Sequence, residues 1–267
     1  MAELYLTDLC YETDAEQQCE SYLAAALKIP DGNTGKPTVD ALQTVANLRI
    51  SQNRLDDAVS NMLDVYQSMK SGCEGLSALV GLSGSTPVDK TEANTMTEQA
   101  RELVDVEAAS SLPGFEFRCQ SVKLYLECAN GLKSQEENTA TEQQCVSVAI
   151  HVLGSLLAEN DDVVEVWYLL GCAFMACNPP DSQRAREYWE QALEMLEKVK
   201  EGMDQDVSFG GAADDSDDDS EATNEELAEI NCQLEEVTDK LSKLDSEHPS
   251  ASENTQETVD DTSMDAS

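Results

Sequence analysis

The stretch EVWYLLGCAFMACNPPDSQRAREYWEQAL, residues 165–193, decides how this chain folds. Trp167, Leu170, Gly171 and Phe174 recur at i, i+3, i+4 and i+7, which places them on one face of a helix. A second run, Ala185, Trp189 and Ala192, follows after NPPDSQ. Two adjacent prolines cannot continue a helix, because each lacks an amide hydrogen and its ring crowds the preceding turn. Asp181 or Ser182 then offers an oxygen to cap the next helix. The stretch is therefore a helix hairpin with an inner face of alternating large and small residues. Gly171 and Ala185 let the helices approach closely, and Trp167, Phe174 and Trp189 fill the space around them.

That order of residues resembles the tetratricopeptide repeat, W-x2-L-G-x2-Y, then A-x3-F, then a closing Pro. Here it reads W-x2-L-G-x2-F, then A-x3-W-x2-A. The turn is about two residues longer than the repeat's, and no Pro closes the unit. A single repeat cannot bury its own apolar face, so further copies are expected. In residues 40–66, Leu42, Val45, Ala46 and Arg49 take first-helix slots, and Ala58, Met62 and Val65 take second-helix slots. Ala149, Leu153 and Leu156 fit another second helix. Its first helix is FEFRCQSVKLYLECA, Phe115 to Ala129, with SQEENTAT as a loop between them. CESYLAAALKIPDGN fits a second helix near the N-terminus, with LYLTDLC as its weak partner. The expectation is an all-α tetratricopeptide-repeat helical solenoid of three to four repeats over residues 1–200. Within it, Gly- and Ser-rich residues 71–93 read as an irregular connector holding a short apolar element, Leu76 to Leu82. A helix from about Asn94 to Ala109 follows.

The charge narrows the function. There are 54 Asp and Glu against 16 Lys and Arg, a net of −38. Residues 201–267 hold 22 acids and 2 bases, so the acid is densest there. DDSDDDSE, residues 214–221, cannot pack, and residues 201–222 read as an acidic disordered linker. Phosphates and anionic membrane surfaces would be repelled, which argues against direct nucleic-acid or membrane binding. A cationic partner would relieve the self-repulsion of so many carboxylates. Beyond the linker, Leu227, Ile230, Leu234, Val237, Leu241 and Leu244 recur at steps of three and four. They predict an amphipathic helix over 223–245, opened by a Thr223/Glu226 capping box. Such a helix is suited to cap the open face of the last repeat, with self-association as the alternative. Residues 246–267 are almost devoid of apolar side chains and are expected to be disordered. Ser216 and Thr223 precede acids at i+3, as acidophilic kinases prefer.

Catalytic chemistry is sparse. His151 and His248 have no catalytic partner nearby in sequence. Nine cysteines are scattered without a C-x2-C pair, and the C-x4-C of Cys172 and Cys177 is not zinc spacing. Free thiols in a reducing compartment are the expectation. No phosphate loop, H-E-x-x-H or G-x-S-x-G occurs. Residues 1–30 lack a signal peptide's basic start and apolar run, and no segment is apolar enough to span a membrane. A soluble binding protein without cofactor or metal, probing its partner as a monomer, is the reading, not an enzyme.

Tetratricopeptide solenoids hold peptides in the concave groove lined by first helices. The groove positions here would be Asp40, Gln43 and Asn47 on one helix, and Glu116, Gln120 and Lys123 on the next. Glu165, Tyr168, Cys172 and Met175 would follow on the third. The Lys, Asn and Arg clamp that grips chaperone C-termini is missing. Gln43 stands at its first Lys position, Asn47 is the only match, and the last helix offers Glu165.

A closer resemblance rests on LGSLLAENDDVVEVWYLLGCAF, residues 153–174, with REYWEQALEML after the turn, then an acidic tail and a final amphipathic helix. This pattern resembles a small family of acidic tetratricopeptide proteins, the assembly chaperones of large-subunit ribosomal protein L-four (uL-four). The resemblance covers about residues 15–245 and is strongest over 150–200. It implies a chaperone that captures a newly made basic ribosomal protein, prevents its aggregation and escorts it from cytoplasm to nucleus for pre-ribosome assembly. Two alternatives stay open: an acidic histone chaperone, and a non-catalytic scaffold subunit whose acid serves solubility.

Overall fold

The computed structural model describes residues 2–7, 10–29, 32, 37–82, 110–133, 138–209 and 217–247. Among them the chain is all-α. Its helices are α1 Ala2–Leu6, α2 Ala15–Ala26, α3 Val39–Ser51, α4 Leu55–Leu79 and α5 Phe115–Leu132. They continue with α6 Thr139–Glu159, α7 Val164–Met175, α8 Ser182–Phe209 and α9 Asp217–Glu247. Successive pairs form hairpins: α1 with α2, α3 with α4, α5 with α6, and α7 with α8. The hairpins stack in order. The first helices α3, α5 and α7 touch in succession, while α4 packs on α5 and α6, and α6 packs on α7.

The hairpin of α7 with α8, residues 165–193, forms for the reasons its sequence implies. Asp181 is the cap: its carboxylate accepts the Arg184 amide at 3.1 Å, and its carbonyl accepts the Ala185 amide at 3.0 Å. Leu170, Ala185 and Ala192 are fully buried, and Phe174 and Trp189 nearly so. Gly171 lies directly under the Trp189 indole, where a β-carbon would overlap the ring. Trp167 is only half-buried and tilts against Tyr188, with ring centroids 5.7 Å apart. Its indole donates to the Asp161 carbonyl at 2.7 Å. The earlier hairpin is equally tight, with Ala46, Ala58, Met62 and Val65 at or near zero exposure.

Two boundaries differ from the sequence expectation. The connector expected to begin at residue 71 is helical as far as Leu79. Met62, Tyr66, Met69, Cys73 and Ser77 continue one buried stripe at steps of three and four, so burial overrides the weak helix preference of Gly72 and Gly75. The true stop is Gly81, at φ 73°. Its amide bonds the Ala78 carbonyl at 3.2 Å and the Leu82 amide bonds the Ser77 carbonyl at 3.0 Å, a Schellman end. The helix expected over Asn94 to Ala109 lies outside the described residues.

The second difference is the last helix. It opens at Asp217, not at a Thr223 cap. On the other side α8 continues to Phe209, so helices enter the expected linker from both ends. Residues 210–216 and 248–267 lie outside the described residues. α9 runs antiparallel to α8, pinned by Arg186 to Asp245 at 2.5 Å and Lys200 to Asn231 at 2.7 Å. Val237 and Leu244 are buried there, with Ile230, Leu234 and Leu241 packed behind them. α9 thus covers the apolar side of α8 within the same chain.

A glycine marks the closest approach between hairpins. A β-carbon at Gly154 of α6 would stand 2.9 Å from the Ser77 Cα of α4, where backbone cannot retreat cheaply. Gly154→Ala should therefore lower stability by about 1–3 kcal/mol, the range of overpacked cores. Gly202→Ala, in a helix with nothing within 4 Å, should raise it by about 0.5–1 kcal/mol. Urea midpoints of the two variants should move in opposite directions.

Candidate partner-binding face

The face lined by α3, α5 and α7 carries most of the residues expected to meet a partner, and several of them bond one another. Gln43 of α3 donates to the Phe117 carbonyl at 3.0 Å and to the Ser121 hydroxyl at 2.8 Å, both on α5. Lys123 of α5 pairs with Glu165 of α7 at 2.6 Å, and the Cys119 thiol donates to the same carboxylate at 3.1 Å. The Tyr168 hydroxyl of α7 donates to Glu236 of α9. These contacts form a polar ladder from α3 to α9. Asn47 and Gln120 are half-buried beside it, and Cys172 and Met175 continue α7 on the same side. Asp40 and Glu116 stand exposed in the first turns of α3 and α5.

The ladder sets the electrostatics. Burial raises the Glu165 pKa, but the bonds from Lys123 and Cys119 outweigh it and hold the carboxyl below its ordinary value. The same carboxylate, added to burial, pushes the Cys119 thiol up to about 12. Glu165 therefore stays ionised but already has a cation at hand. The seam between α7 and α9 is polarised along its length. Near the start of α7, Glu165, Glu229 and Glu236 line a cavity of about 380 Å³ with Tyr168. Near its end, Lys133, Lys240 and Lys243 line another of about 490 Å³. Lys240 lies 5.7 Å from the ring centres of both Tyr168 and Trp189, between the two.

Some residues that matter gave no usable signal in the sequence. Arg118 is 2 % exposed and donates to the Pro113 carbonyl at 2.9 Å, to Ser155 at 3.0 Å and to Glu159. It ties α5 to α6 at their crossing. Its partners lie up to 41 residues away, so periodicity could not pair them. His151 of α6 meets the Tyr66 hydroxyl at 3.1 Å, and the rings stack. Burial lowers its pKa. Burial also pushes the Cys128 and Cys145 thiols up to about 12 and about 11, which makes them poor nucleophiles. Among the described residues no cluster of metal-ligating side chains occurs, and no helix is long and apolar enough to cross a membrane.

The architecture is a stack of helical hairpins. The chain is 28% identical over 202 residues to a Schizosaccharomyces pombe protein described as a probable assembly chaperone of rpl4. The aligned stretch is 75% of this chain and 44% of that protein, so the chain spans less than half the length of the curated relative it matches. No family model matches the chain. No solved structure matches it.

Two outcomes follow from the buried polar groups. Arg118→Ala removes the bonds to Pro113, Ser155 and the half-exposed Glu159 and opens a void, so it should cost about 2–3 kcal/mol in chemical denaturation. His151 has a folded pKa below its unfolded value, so the unfolded state binds the proton first. Its contribution is complete above the unfolded pKa of about 6.5 and is lost as pH falls through it. Between pH 7.5 and 5.5 the wild type should lose more stability than His151→Gln does.

Proposed function

We propose that this chain is a non-catalytic assembly chaperone for a basic ribosomal protein, with large-subunit ribosomal protein L4 as the cargo. The observation that carries the reading is the similarity to the fission-yeast protein over three quarters of the chain. The charge supports it independently, since a net of −38 suits a strongly basic partner. The hairpin stack is built from tetratricopeptide-type units, and the cargo lies along the face of α3, α5 and α7. Exposed Asp40 and Glu116 and the acidic cavity of Glu165, Glu229 and Glu236 receive its Arg and Lys side chains. Lys123 exchanges for a cargo cation at Glu165, at little net gain there, so the unpaired acids carry most of the attraction. Each exposed pair is worth about 0–1 kcal/mol, and affinity comes from their number. Long-range steering makes capture fast and salt-sensitive. The chain works as a monomer by sequestration, shielding the cargo between cytoplasm and nucleus.

The test is co-expression and capture of tagged ribosomal protein L4, a core histone and a neutral control, at about 0.1 M and 0.5 M salt. Retention of the ribosomal protein alone, lost at high salt, is the expected result. Glu116→Gln with Glu229→Gln should weaken it several-fold while leaving the helical spectrum unchanged. Preference for histones would keep the electrostatics and overturn the cargo. Salt-resistant binding would overturn both.

A further inference from the structure

We infer that the lysine-lined cavity where α5, α7 and α9 converge is a docking site for an acidic segment, and that its occupant is residues 248–267 of this same chain. Cations are scarce in this protein, and most of them are committed. Every described arginine is ion-paired, as are Lys70, Lys123 and Lys198. Lys28, Lys133, Lys200, Lys240 and Lys243 form no ion pair among the described residues; Lys200 bonds Asn231, and Lys133, Lys240 and Lys243 line one cavity. With 54 carboxylates to choose from, three lysines left unpaired side by side mark a place where a negative group is expected to arrive from outside the described residues. Glu142 is the one carboxylate in its wall. The floor is apolar, formed by Leu126, Met175, Trp189 and Leu244.

The tail has the matching chemistry. Residues 248–267 contain Glu253, Glu257, Asp260, Asp261 and Asp265 and no Lys or Arg. Their few apolar side chains include Val259 and Met264, the first directly before the Asp260–Asp261 pair. Val259 suits the floor while the two aspartates meet Lys240 and Lys243. The connection is short. α9 ends at Glu247, one turn beyond Leu244 in the cavity wall. From Glu247 to Val259 an extended chain reaches up to about 40 Å, ample to turn back. Tethering raises the local concentration of the segment to the millimolar range, so weak pairs suffice. Docking is reversible and screened by salt. None of this depends on which cargo the chain carries.

The test uses the full-length protein. A zero-length carbodiimide, which joins Lys to nearby carboxylates, is applied at low protein concentration and the products are mapped by mass spectrometry. Links from Lys240 and Lys243 to Glu257, Asp260 or Asp261 should dominate and fall several-fold at high salt. Links that run mainly to residues 214–221, or that appear only between molecules, would overturn the assignment. In parallel, amide resonances of 248–267 are compared between wild type and Lys133→Gln/Lys243→Gln, with the synthetic 248–267 peptide as the free reference. Docking predicts that the wild-type resonances differ from the peptide's and that the variant's move toward them. Wild-type resonances already coincident with the peptide's would end the proposal.

Discussion

The stack rests on close backbone approach at small residues. α6 can lie against α4 only because Gly154 presents no side chain to Ser77, and α7 can lie against α8 only because Gly171 leaves room for the Trp189 indole. Gly131 of α5 meets only the side-chain end of Leu55 of α4, a looser approach. Dispersion is short-ranged, so a few tenths of an ångström of separation along a helix forfeits much of the packing energy. With the helices held this close, the large side chains interdigitate. Tyr125 reaches from α5 to donate to the Met62 carbonyl of α4, and Arg118 reaches into the α5–α6 crossing.

Holding the helices close has a second effect on the face of α3, α5 and α7. Polar side chains on α3, α5 and α7 come within hydrogen-bond reach of the neighbouring helix. Gln43, Lys123, Glu165 and Tyr168 thereby become links in a ladder as well as surface. Such a face is preorganised, since its side chains are already ordered and less conformational entropy remains to be lost when a partner binds. The cost is that some of its charge is already spent. Glu165 already faces Lys123, whereas Asp40, Glu116 and Glu229 form no ion pair among the described residues.

α9 gives the α7 side its character. Its apolar stripe closes the core behind α8, and its polar side completes the seam with α7. One end of that seam gathers carboxylates and the other gathers lysines, with Glu236 and Lys240 one helical turn apart on the same helix. A strongly acidic chain thus displays both signs of charge on adjacent parts of one face. Opposite charges in adjoining cavities favour one orientation of a charged segment over its reverse, because like charges brought together there cost energy.

The sequence by itself determined the helical class, the 165–193 hairpin with a cap at Asp181 or Ser182, and the amphipathic stripe of the last helix; the structure assigns the cap to Asp181. Each is written in contacts three or four residues apart, or in a proline pair that any helix must obey. It misled at residues 71–79, where Gly and Ser suggest a connector, and at Thr223, where a capping pattern suggests a start. In the first, propensities under 1 kcal/mol yielded to burial of Cys73 and Ser77, which no local pattern could announce. The bonds that the expected groove positions make to one another were not legible. Gln43 meets Ser121, Cys119 meets Glu165 and Tyr168 meets Glu236 across 46 to 78 residues of chain. Which carboxylates stay free, and which lysines collect in one cavity, only the tertiary structure decided, because those distances are set by how the hairpins stack and not by spacing along the chain.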